Sequence, residues 1–131
     1  MIVLDTHVWF WLSAHPGRLS SAARKAIDRA SHSGGIAIAS VSLVEMAAAM
    51  ARGRIMSHGS SETALHEMLR TTAVVVKEIT PVVAMLATQF PPDFPGDPAD
   101  RIIAATARAE GVPLVTRDSK MRRSPFVETV W

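Results

Sequence analysis

The 131-residue sequence contains no cysteine. Disulfide scaffolds, thiolate zinc sites, iron–sulfur clusters and cysteine nucleophiles are thereby excluded, so any metal must sit on oxygen or imidazole. No run is long and apolar enough to span a membrane. After the first thirty residues, the longest stretch free of Asp, Glu, Lys and Arg is 30–44, closed by Glu45. The apolar opening, residues 1–12, has no basic flank and is interrupted by Asp5, which argues against a secretory signal. The expectation is a cytoplasmic, soluble protein. An excess of one charge is also lacking: 14 Lys and Arg against 12 Asp and Glu leave +2, too little to point to nucleic acid by itself. Repeats, low-complexity tracts and linkers are missing too, so residues 1–131 read as a single domain with one modest core.

What is present is an ordinary globular composition, 48% hydrophobic and 20% charged, which excludes disorder and coiled coil. Residues 1–4 (MIVL) form a short apolar run suited to a buried strand, and 36–38 (IAI) a second. Residues 73–76 (AVVV) are a β-branched run expected to be covered on both faces, followed by strands at 112–115 and 126–130. Between them lie helical segments: one containing 8–12, then 19–30 capped by Ser20 or Ser21, 40–51 capped by Ser40 or Ser42, 60–70, and 81–89. Residues 90–98 are a proline-rich loop. The clearest helix is 98–110, with Asp97 as N-cap, Pro98 at its first position and Gly111 past its end. A short helical turn is expected at 119–122. Alternating strands and helices predict an α/β fold, a three-layer sandwich around a mainly parallel sheet of about five strands.

In such a sheet, ligands bind outside the C-terminal ends of the strands. Asp5 follows the first strand, Glu45 lies early in the helix after the second, Asp97 and Asp100 open the 98–110 helix, and Asp118 follows the next strand. Asp5, Asp97, Asp100 and Asp118 each have an alternative as helix-terminal caps or dipole partners. Glu45 does not, because Val41, Leu43, Val44, Met46 and Ala47–Ala49 surround it. Carboxylates gathered in a partly desolvated crevice repel one another unless a cation neutralises them. All-oxygen ligation selects Mg2+ or Mn2+, and Mg2+ held by carboxylates and waters is typical of phosphoryl chemistry. Arg101, Arg117, Lys120 and Arg122 then become candidates for the phosphates of a nucleic-acid strand. The five histidines, His7, His15, His32, His58 and His66, form no i, i+4 metal pair. Trp9, Phe10 and Trp11 are consecutive in a helix, so at least one is expected to meet a partner, the alternative being burial in the domain's own core.

Four pieces, MIVLDTHVWFWL, SVSLVEMA, GDPADRIIAATARAEGVPLVTRD (96–118) and VETVW, are spread over the whole chain. Together they closely resemble the PIN-domain family and, within it, the VapC-type toxins of toxin–antitoxin pairs. The resemblance implies a Mg2+- or Mn2+-dependent endoribonuclease that leaves a 5′-phosphate and a 3′-hydroxyl, forms a homodimer and is restrained by a cognate antitoxin protein. It places the catalytic acids at Asp5, Glu45, Asp100 and Asp118, adds Asp97 to the metal ligands, and gives Thr6 and Thr116 supporting roles through their hydroxyls. Alternative readings are a catalytically silent binding module, a receiver-like regulatory domain and a PIN nuclease of RNA processing. Intact acids argue against the first, and the lack of an adjacent acidic pair after an early strand argues against the second.

Overall fold

A computed structural model describes residues 1–56 and 59–131; His58 lies outside the described residues. The chain runs β1 (Ile2–Leu4), α1 (Thr6–Ala14), α2 (Ser21–His32), β2 (Ile36–Ala39), α3 (Val41–Ala51), α4 (Ser61–Thr72), β3 (Val75–Lys77), α5 (Pro81–Ala87), α6 (Pro98–Glu110), β4 (Leu114–Val115), α7 (Ser119–Arg123) and β5 (Thr129–Val130). The five strands pair in the order β3-β2-β1-β4-β5, and every pairing is parallel.

The central strands are apolar on both faces because both faces are covered. Ile2, Leu4, Ile36, Ile38 and Val115 pack against α1, α2, α3 and α4 through Trp9, Ile27, Met46 and Met68. Val3, Ala37, Ala39 and Leu114 pack against α5, α6 and α7 through Val83, Ile103, Ala104 and Met121. Alternate residues of one strand thus feed two separate cores, the signature of a three-layer α/β/α sandwich.

Local chemistry sets the element ends. Ser20, Ser60 and Thr80 accept from the backbone N–H three residues on, capping α2, α4 and α5. Gly111 ends α6 in the left-handed region. Gly34 is obligatory: its φ is 86°, and a Cβ there would come within 2.4 Å of the Met1 nitrogen.

Two expectations need correcting. The 73–76 run is not covered on both faces: β3 is an edge strand, with Val75 50% and Val76 39% exposed. β-branched residues favour a pleated surface without distinguishing a central strand from an edge. Nor do the consecutive aromatics require a partner. Trp9 is fully buried, with its Nε1 donating to Thr72 Oγ1 at 3.0 Å, while Trp11 is buried against Arg18 and Trp131, and Phe10 packs at the edge of the same core.

Candidate active site

The chain leaves β1 toward β2 and β3 on one side and returns through β4 and β5 on the other. The strand order therefore reverses beside β1, and the crevice between the C-terminal ends of β1 and β4 is the switch point where open α/β sheets bind ligands. Asp5 stands one residue past β1, and Asp118 three residues past β4. α6 must start at this same edge to run back to β4, which brings Asp97 and Asp100 to it.

Asp5 is 6% exposed. It caps α1, Oδ1 accepting from the Thr6 N–H at 2.8 Å, while Oδ2 accepts from Thr116 Oγ1 at 2.7 Å. The Thr116 hydroxyl also accepts from the Asp118 N–H at 3.0 Å, so one buried threonine ties two acids from two strands. Burial pushes the Asp5 carboxyl up; the Thr116, Thr6 and His7 interactions oppose this, and Asp118 adds to it.

Glu45 enters through a hydroxyl relay. Thr6 Oγ1 donates to Glu45 Oε1 at 2.6 Å and lies 2.8 Å from Ser42 Oγ. A hydroxyl has one hydrogen, so Ser42 is the donor to Thr6. Ser42 is fully buried, and the sequence assigned it only a capping role. Its partner lies 36 residues away, a pairing that no local pattern encodes. α3 begins instead after Ser40, which makes no side-chain cap.

Asp97 and Asp118 cap α6 and α7, accepting from the N–H groups of Ala99 at 3.0 Å and Met121 at 2.9 Å. The capping and functional readings of these residues are therefore compatible. Among the described residues, no side-chain or backbone donor reaches the carboxylate of Asp100. Burial, then the charges of Asp5, Asp97, Glu45 and Asp118, push its pKa from the ordinary 3.8 up to about 7. Asp100 thus lies within electrostatic reach of the other four acids.

A cavity of about 380 Å3 is lined by Asp5, His7, Trp11, Asp97, Asp100, Arg117 and Asp118. Glu45 stands outside this lining, connected through Thr6. Among the described residues, no three His, Asp or Glu side chains are spaced to enclose an ion by themselves. The donor set still fits a hydrated hard cation, because Mg2+ keeps several waters and needs only one or two carboxylates. A cation beside the half-buried Asp100 would offset the repulsion of its four acidic neighbours.

The cations divide. Arg117 lines the acidic cavity. Lys120 and Arg122 are exposed on α7, Lys120 facing a neighbouring cavity and Arg122 another beside Trp131. Arg101 is a correction: its guanidinium is spent on the carbonyls of Pro95 at 2.9 Å, Phe90 at 3.1 Å, Pro91 at 3.3 Å and Phe94 at 3.5 Å, so it fastens the 90–97 loop instead of facing a substrate. His7 is exposed at the cavity lip, its ring 6.2 Å from that of Trp11.

The PIN-domain family profile matches residues 2–127. The chain is 42% identical to Ribonuclease VapC22 of Mycobacterium tuberculosis over 99% of its own length and 98% of that protein's. Its fold is similar to that in the crystal structure of VapBC2 from Rickettsia felis bound to a promoter DNA fragment, with a TM-score of 0.73, 19% identity and coverage of 98% and 97% of the two chains. A toxin–antitoxin complex from Klebsiella pneumoniae gives a TM-score of 0.64 at 19% identity, with coverage of 97% and 95%. The acids at the switch point, the parallel five-stranded sheet and the near full-length match to a VapC protein place this chain in the PIN-domain family.

Proposed function

We propose that this protein is a metal-dependent endoribonuclease acting as the toxin of a toxin–antitoxin pair in the cytoplasm. The observation that carries the reading is Asp100: a half-buried carboxylate beside four other acids at the switch point, an arrangement that supports a divalent cation there. The identity to a ribonuclease named VapC22 supports the substrate class. Among the described residues no helix is long and apolar enough to cross a membrane.

Asp5, Asp97, Asp100 and Asp118, with Glu45 beside them, would hold a hydrated Mg2+ or Mn2+, one or two of them directly and the others through its waters. A bound cation of this kind supplies an activated water and offsets charge on the phosphate oxygens. The chain's own residues supply the rest. Thr116 ties the Asp5 carboxylate to the Asp118 backbone, and Thr6 fixes Oε1 of Glu45 beside the site; one of the acids would accept the proton of the attacking water. Arg117 at the cavity lip neutralises the scissile phosphate, and Lys120 and Arg122 hold neighbouring phosphates of the strand. Hydrolysis in this sense leaves a 5′-phosphate and a 3′-hydroxyl.

Two partners follow. Solved relatives of the same fold are described as VapBC and toxin–antitoxin complexes, which supports a cognate antitoxin for this chain. Val75, Val76, Ile79, Val82 and Met85 leave an exposed apolar strip on β3, α5 and the segment joining them, which supports a homodimer through that edge.

The test is incubation of purified, antitoxin-free protein with total cellular RNA, with and without Mg2+ or Mn2+. Discrete metal-dependent cuts that Asp5→Asn and Asp100→Asn both abolish are expected. Cutting in EDTA by both variants overturns the metal reading, and metal binding without any cutting favours a silent binding module.

A further inference from the structure

We infer that the cavity between the 90–97 loop and α7 is a nucleobase subsite, taking an unstacked base next to the scissile phosphate; the inference rests on the ribonuclease reading above. The cavity has a volume of about 420 Å3 and is lined by Pro91, Asp93, Phe94, Lys120, Arg123 and Phe126, with Ser124 and Pro125 completing it. Such a volume lies within the range of small-ligand sites. It adjoins the acidic site through α7, whose N-cap is the site acid Asp118 and whose next turn carries Lys120 and Arg123.

Three features fit a single-stranded nucleotide. Phe126 is 42% exposed, although its neighbour Val127 is buried, so part of an apolar ring is held at the surface. Arg108 lies 5.9 Å from the centroids of both Phe126 and Phe90, a cation–π arrangement that fixes the aromatic wall from behind. Lys120 and Arg123 stand at i and i+3 on one side of α7, and among the described residues neither makes an ion pair. An aromatic face with adjacent free cations is how proteins hold single strands: bases stack and phosphates pair. Asp93 selects among occupants. A carboxylate here accepts from the exocyclic amine of a base and repels an acidic peptide.

Both walls are built in advance. Arg101 pins the loop by donating to its four carbonyls, and Phe90 stacks on Phe94 at 4.1 Å between ring centroids. Opposite, the Phe126 N–H donates to Ser124 Oγ at 3.2 Å across Pro125, setting the turn that presents the ring. Little ordering remains to be done when a base enters.

The test uses the Asp100→Asn protein as an inert binder and measures its affinity for short single-stranded RNA by fluorescence anisotropy, with thermal denaturation confirming that each variant is folded. Adding Phe126→Ala is expected to weaken binding by about 5- to 150-fold. Phe126→Trp should keep the affinity, and an RNA made abasic at the contacting position should bind the Phe126→Ala and parent proteins alike. Unchanged affinity of Phe126→Ala for intact RNA overturns the subsite. So does an equal loss on intact and abasic RNA, which would assign the ring to backbone support. Loss of antitoxin binding with RNA binding retained assigns the cavity to a protein partner instead. A folded Asp100→Asn protein that binds no RNA at all defeats the ribonuclease reading, and the subsite with it.

Discussion

Asp100 lies half-buried among four other carboxylates, without a donor from the described residues, and its pKa is raised to about 7. Well below pH 3.8 it is neutral whether the chain is folded or unfolded. Between the ordinary 3.8 and about 7 the unfolded chain gives up the proton while the folded chain keeps it, so the folded state binds more protons and loses stability as pH rises. Asp5, also raised by burial, acts in the same direction. Metal-free protein should therefore melt at a lower temperature at pH 8 than at pH 5. Asp100→Asn should be more stable than wild type at pH 8, with the gap closing toward pH 5, while losing all cleavage; a thermal melt series checks the sign. Thr116→Val should behave differently. It removes the donor to Asp5 and the acceptor for Asp118, leaving buried polar groups unpaired, and should cost about 1–3 kcal/mol in denaturant unfolding. The acids were legible in the sequence because each follows a strand or opens a helix. The Ser42–Thr6–Glu45 relay was not, since it closes only when α1 and α3 meet across the sheet edge.

At the scale of elements, the 90–97 loop and the α4–β3 junction bear the sharpest tests. Arg101→Met keeps the aliphatic stem but deserts four carbonyls, and should destabilise the protein by about 1–3 kcal/mol. It should leave the salt dependence of RNA binding unchanged. Lys120→Ala with Arg122→Ala should instead flatten that dependence, by about one unit of slope for each phosphate no longer paired with a cation, with stability unchanged. Sequence proximity to Asp100 suggested a phosphate role for Arg101; the helical register turns it to the loop. Ala73 ends α4 with φ at 52°, the left-handed region, and is exposed. Ala73→Gly should raise stability by up to about 1 kcal/mol, since glycine meets no Cβ penalty there. The strand run that includes Ala73 was readable as β structure, but its start is displaced because Ala73 still closes the preceding helix.

Across the whole molecule, the three-layer sandwich could be read from β1, β2 and β4, whose apolar runs without polar alternation leave little choice but a sheet buried on both faces. Which strand lies at the edge depends on the order of pairing, and that order is decided by crossovers the sequence does not display. The resulting β3–α5 edge should carry the dimer: Val82→Glu with Met85→Glu should shift the protein to monomer in sedimentation velocity while leaving its fold intact. The central claim is that the acids at the switch point form a divalent-cation site. Calorimetric titration of the antitoxin-free protein with Mn2+ at pH 6 and pH 8 tests it most directly. The account predicts saturable binding that Asp100→Asn weakens, with more protons released at pH 6, where Asp100 must give up its proton to the incoming charge. Absence of saturable binding to the folded wild-type protein at both pH values would contradict it.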